Sequence, residues 1–208
     1  QGKETIMTFT LQELGREAST CTRCRLSQGR TQVVFGVGNP NAYVVFIGEG
    51  PGYYEDKQGE PFVGAAGQLL TKLLDEIGLR RQDVYICNVV MCRPPGNRDP
   101  LPDEIESCRP YLEGQLENIH PRLIVTLGNF ATRVILDRQV SISRVRGQRF
   151  VVDGRSVIPT FHPAAILRGG GEASTQMAAL RSDFRTIRSV LEEPQPVTVA
   201  AQEQLGLF

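Results

Sequence analysis

The stretch Ala42–Gly52, AYVVFIGEGPG, decides how this chain folds. Its first six residues are apolar without a break, and most are β-branched or aromatic. Such a run suits a strand buried on both faces of a parallel sheet. The turn that follows, Gly48-Glu49-Gly50-Pro51-Gly52, ends the strand sharply and lets backbone approach a ligand closely. Further strands are predicted at Asp83–Val90 and Arg122–Leu127, with a short pair, Phe150–Val152 and Val157–Phe161, turning on Asp153-Gly154. Helices are predicted at Thr8–Ser19, Gly64–Ile77, Pro102–Ile119, Asn129–Leu136 and Ser174–Leu191. Gly78 is placed to stop the second of these and Pro102 to start the third. Strands alternating with helices give the α/β class: a single three-layer α/β/α domain around a central, mainly parallel four-stranded sheet. The domain is expected over residues 1–192, with 193–208 as a flexible tail.

At 208 residues the chain is long enough to bury one substantial core. No apolar run approaches the roughly 18 residues that span a membrane. Gln1–Thr10 carries no apolar segment of a secretory signal, so the expectation is a cytoplasmic protein without disulfides. A formal net charge of zero gives no hint of a nucleic-acid partner. The distribution says more: 20 of the 23 basic residues are Arg, and six of them lie between Arg138 and Arg168 against one acid, Asp153. Arginine suits bidentate phosphate contacts, although a GC-rich genome also inflates it.

Four of the five cysteines make a pattern. Cys21 and Cys24 form a C-x2-C, and Cys92 and Cys108 follow far downstream, with Cys87 left over. Four thiolates suit an iron–sulfur cluster or a structural zinc ion, and spacing alone leaves both open.

In a parallel sheet, ligands bind outside the carboxyl ends of the strands. Each predicted strand ends in polar or glycine-rich residues: Gly48-Glu49-Gly50, then Asn88 before Cys92-Arg93-Pro94-Pro95, then His162-Pro163. Past the first lie Glu55, Asp56 and Pro61-Phe62-Val63-Gly64. Each has a bland reading. A lone His before Pro is usually structural, as expected for His120-Pro121; Glu55 and Asp56 would be a solvated face; Asn88 would cap a strand; Phe62 would be a core ring.

Taken together, the motifs G-E-G-P-G, P-F-V-G, N-x3-C-R-P-P, N-R-x-P-x-P-x-E and H-P-A-A-I-L-R resemble a family 4 uracil-DNA glycosylase, from about Cys21 to Arg188. The resemblance implies a [4Fe–4S] cluster on Cys21, Cys24, Cys92 and Cys108, with Cys87 an ordinary buried thiol. It implies an enzyme of base excision repair that flips uracil out of DNA, single- or double-stranded, and hydrolyses its N-glycosidic bond. Asn88 would read the Watson–Crick edge, Phe62 would stack on the base, and His162 would hydrogen-bond uracil O2 as charge develops. Backbone amides at Gly48 and Gly50 would add to this. Gly50 stands where better-known relatives carry a water-orienting Asp, so the resemblance leaves the general base open; Glu49 is the expected carboxylate, to orient the water or to stabilise the sugar cation. Glu55, with Tyr54 as a local alternative, would reject thymine. Ile166, Leu167 and Arg168 would wedge into the duplex. A monomer associated with the nucleoid is expected. The rival readings are a covalent uracil-DNA capture protein and a non-catalytic DNA-binding iron–sulfur or zinc module. Against the first, Ser141–Gly147 is short and has no His.

The last five residues resemble the Q-L-x-L-F peptide with which bacterial proteins dock on the polymerase sliding clamp. Gln204, Leu205, Leu207 and Phe208 would then be clamp contacts.

Overall fold

The computed structural model describes residues 9–194, so the clamp-like residues 204–208 and most of the expected tail lie outside it. Six strands form one sheet: β1 Val37–Gly38, β2 Val44–Gly48, β3 Tyr85–Asn88, β4 Leu123–Leu127, β5 Phe150–Val152 and β6 Arg155–Thr160. Their order is β1-β3-β2-β4-β6-β5. The central four, β3-β2-β4-β6, are parallel, and β1 and β5 add antiparallel edges. The expected four-stranded count is thus corrected to six. The parallel centre matches it, whereas β1 has only two residues, with Gly38 at φ +129°, and leaves no periodic signature.

The helices are α1 Leu11–Ser19, α2 Tyr53–Gln58, α3 Ala65–Glu76, α4 Pro102–Ile119, α5 Gly128–Leu136, α6 Ile142–Val145, α7 Pro163–Arg168 and α8 Thr175–Glu192. Residues of β2 alternate between two cores. Val45 and Ile47 pack with Leu14, Tyr111, Leu112 and Ala131, on the side of α1, α4 and α5. Val44 and Phe46 pack with Leu70, Leu73, Leu74 and Phe184, on the side of α3 and α8. The Phe46 ring stacks on Phe184 at 5.9 Å. A strand covered on both faces must be apolar throughout, as AYVVFI is.

Five helices fall where the sequence places them, to within a few residues at each end. Thr10 caps α1 by accepting the Glu13 N–H, so that helix starts after Thr8. The short α2, α6 and α7 have four to six residues each, too few to show a helical period. His120 ends α4 in the left-handed region at φ 50°, a structural post. Among the described residues no helix is long and apolar enough to cross a membrane.

Candidate active site and thiol centre

The parallel register brings strand ends level. Gly48 pairs with Asn88, and Leu127 with Thr160. Beyond them opens a cleft of about 510 Å³, the size of a small-molecule site. Glu49, Gly50, Glu55, Phe62, Asn88 and His162 all line it, so one cleft gathers these sequence-predicted residues. Gly48 does not line the cleft itself but lies directly behind Asn88 and Phe62. A Cβ there would lie 2.4 Å from Asn88 Oδ1 and 2.6 Å from the Phe62 ring, so no side chain fits.

Asn88 is 2% exposed, and its Oδ1 has no hydrogen-bond partner among the described residues. An unpaired buried acceptor costs about 1–3 kcal/mol. A donor in the cleft, from a ligand or a bound water, would relieve that cost.

Phe62 sits in the left-handed region at φ 56°, strained for a bulky residue. Its surroundings hold it there. The N–H groups of Val63 and Gly64 both donate to Glu55 Oε1, at 3.0 and 2.9 Å. Arg81 donates to the Pro61 carbonyl. The buried Phe62 ring stacks on the His162 imidazole, centroids 5.6 Å apart and planes 29° off parallel. Glu55 is therefore neither a solvated face nor a free carboxylate: one oxygen is committed to clamping the Phe62 loop. Asp56 is buried and accepts the Thr31 N–H at 2.8 Å. Tyr54, at 60% exposure, stands at the surface.

His162 caps α7. Its Nδ1 accepts the Ala164 N–H at 3.1 Å, so the neutral ring carries its proton on Nε2. Burial pushes its pKa down to about 4, Arg168 adds to this, and Glu55 opposes it. The imidazole is thus a neutral donor at physiological pH. Glu49 moves the other way. Burial raises it to about 7, Asp99 adds repulsion, and Arg168 partly offsets both. Asp99 also lines the cleft. Sequence reasoning passed over it, although it lies inside the quoted N-R-x-P segment. Asn129 was missed too, although the strand-end rule points to it. It lines the cleft just past β4 and accepts the Ile142 N–H at 2.9 Å.

The apolar wedge needs correction. Ile166 is fully buried in the core beside α3 and α8, because it faces inward from α7. Leu167 is 41% exposed, and Arg168 lines the cleft. The arginine cluster is also partly committed elsewhere. Arg146 pairs with the buried Asp183, and Arg149 with Glu193 at 2.8 Å.

A second, small cavity is lined by Cys21, Cys24, Cys92 and Cys108 together. Arg30 Nη1 donates to Cys92 Sγ at 3.3 Å, and the Met91 N–H to Cys108 Sγ at 3.4 Å. Donors aimed at sulfur suit thiolates carrying charge. Among the described residues, no three His, Cys, Asp or Glu side chains are grouped as ligands of a single ion. Cys87 lies apart on β3, 1% exposed and outside that cavity. An ion-pair chain joins the two sites. Arg25, next to Cys24, donates to Asp103 at 2.7 Å. Beside it the buried Glu104 accepts two bonds from Arg98, at 2.8 and 2.6 Å, and Arg98 lines the cleft.

The uracil DNA glycosylase superfamily matches residues 35–185. The type-4 uracil-DNA glycosylase of Archaeoglobus fulgidus is 47% identical over 195 residues, covering 90% of this chain and 96% of that protein. That of Thermotoga maritima is 51% identical over 166 residues, covering 77% and 86%. That of Sulfurisphaera tokodaii is 44% identical over 199 residues, covering 91% and 89%. With its cleft at the strand ends and this likeness along most of its length, the chain belongs to the uracil-DNA glycosylase superfamily, among the type-4 uracil-DNA glycosylases.

Proposed function

We propose that this protein removes uracil from DNA in base excision repair, hydrolysing the N-glycosidic bond to free uracil and an abasic site. The observation that carries the reading is the unpartnered Asn88 Oδ1, buried at the head of the cleft. Uracil presents N3–H, a donor, beside O4, an acceptor. The Asn88 amide accepts from the first and donates to the second. Cytosine inverts both groups and leaves the buried amide unpaired, which a site of this kind penalises heavily. Phe62 offers its ring to the flipped base, and the Nε2–H of His162 donates to O2 as negative charge gathers there. A neutral donor at that point strengthens its bond as the base departs. Glu49, with a pKa of about 7, is poised to orient the attacking water or to face the oxocarbenium-like sugar. Leu167, exposed at 41%, and Arg168, which lines the cleft, are the groups that would meet the duplex.

Release of free uracil from a uracil-containing oligonucleotide tests the proposal, and no release at any enzyme concentration sinks it. A denaturing gel distinguishes hydrolysis from covalent capture: no protein–DNA adduct is expected.

For the thiol cavity we propose a [4Fe–4S] cluster held by Cys21, Cys24, Cys92 and Cys108. Four cysteines around one cavity, with N–H donors on two sulfurs, fit such a group. A bound cluster would supply a rigid tie between the N-terminal segment, the loop after β3, and α4. Visible charge-transfer absorption and four iron atoms per chain are expected, whereas a colourless protein with stoichiometric zinc overturns the assignment. For residues 204–208 we propose docking on the bacterial sliding clamp through Leu207 and Phe208. Deleting these five residues is expected to abolish binding to the cognate clamp.

A further inference from the structure

Tyr53 and Tyr54 stand between Gly52 and Glu55, both of which line the cleft. They are 50% and 60% exposed, and they meet edge to face with centroids 5.4 Å apart. Two cations stand over the Tyr53 ring, Arg93 at 5.1 Å and Lys57 at 5.8 Å. Neither ring lines the cleft itself, but each is tied to residues that do. Arg93 donates from Nε to Asn97 Oδ1 at 2.7 Å, and Asn97 lines the cleft. Tyr54 lies against the Phe62 loop, since a Cβ on Gly64 would sit 3.6 Å from its Cδ2. The rings belong to neither core.

A nucleotide held in the cleft is covalently joined to neighbours that emerge from it, each with a base and a phosphate. Exposed aromatic faces with cations beside them are what an unpaired nucleotide requires. We propose that Tyr53 and Tyr54, with Arg93 and Lys57, form a stacking subsite for an unpaired nucleotide adjoining the uracil on the same DNA strand. The proposal rests on the reading of the cleft as the uracil pocket. A base still paired in a duplex cannot reach the rings without unstacking, so the subsite favours single-stranded substrate.

The test compares the wild type, a Tyr53→Ala/Tyr54→Ala double variant and a Tyr53→Phe/Tyr54→Phe double variant. The substrate is a single-stranded oligonucleotide carrying one uracil. The Ala variant is expected to raise KM about tenfold with kcat within about twofold, and the Phe variant to match the wild type. Replacing the nucleoside on one side of the uracil by an abasic spacer should cost the wild type a similar factor and cost the Ala variant nothing more. An unchanged KM in the Ala variant overturns the proposal, and so do spacer and Ala losses that simply multiply. Fluorescence anisotropy with the same oligonucleotides reads the subsite even where no uracil is released. Failure of the glycosylase reading and failure of the subsite are thereby told apart. Should the Ala variant not fold, the spacer series on the wild type still decides: equal binding with and without the spacers on both sides overturns the proposal.

Discussion

On the proposed function, the selectivity of the cleft rests on the single Asn88 amide. Asn88→Ala removes both bonds to the base, and kcat/KM on a uracil oligonucleotide should fall about 100-fold or more, with melting temperature little changed. His162→Ala removes a donor to developing charge and should cost kcat about 100- to 1000-fold. The pH profile separates this residue from Glu49. With a pKa of about 4, His162 stays neutral across the working range, so its ionisation leaves no limb above pH 5. Glu49 titrates at about 7. Its carboxylate forms as pH rises, so kcat/KM should climb through pH 7 and be lost as pH falls, and Glu49→Gln should flatten that limb. Stability moves the opposite way. A carboxyl raised in the folded state is increasingly unfavourable above its unfolded value of about 4.3, fully so above 7. Glu49→Gln should therefore raise the melting temperature more at pH 8 than at pH 5. Glu49, Asn88 and His162 were legible in sequence because each follows or ends an apolar strand, and Phe62, in the loop between α2 and α3, because of its P-F-V-G motif. Asp99 was not, since nothing local says that a loop acid after Pro94-Pro95 turns back to face Glu49.

At the scale of elements, the Phe62 loop is held out of its preferred conformation by Glu55. Glu55→Ala leaves two amides unpaired and should cost about 1–3 kcal/mol, with KM rising as Phe62 relaxes. Thermal unfolding and steady-state kinetics check the two parts. Opposite it, Asp183 of α8 accepts from Thr160, the last residue of β6, and pairs with Arg146, whose guanidinium lies 5.5 Å from the Phe161 ring centroid. Removing one partner of a mostly buried pair strands the other, so Asp183→Ala should cost about 3–5 kcal/mol in denaturant titration. The sequence foretold α3, α4 and α8 because long amphipathic helices repeat their apolar positions. It read α7 as an exposed tip. Six residues show no period, and only the packed structure tells that Ile166 faces the core while Leu167 faces out.

Across the whole molecule, the thiol cavity and the cleft are separate sites joined by structure. Cys24 leads to Arg25, Arg25 to the start of α4, and Glu104 there to Arg98 at the cleft. Cys108→Ser should therefore abolish visible absorption and lower the melting temperature. It should weaken DNA binding more than the single-turnover rate of the bound substrate. Cluster content, thermal scans and single-turnover kinetics measure these in turn.

The amino-acid sequence was enough for the α/β class, the parallel centre of the sheet, the grouping of C-x2-C with two distant cysteines, and the motifs of the cleft. The first two follow from short-range apolar spacing, which a chain carries in one dimension, whereas the cysteine set and the cleft motifs follow from the resemblance to a known family. Tertiary structure alone decided which candidates meet. It placed Asp99 near Glu49, committed Glu55 to a loop, withdrew Ile166 into the core, and exposed two tyrosines beside residues that line the cleft. Those outcomes depend on contacts between residues distant in sequence or on which way a short element faces, and neither is encoded in local pattern.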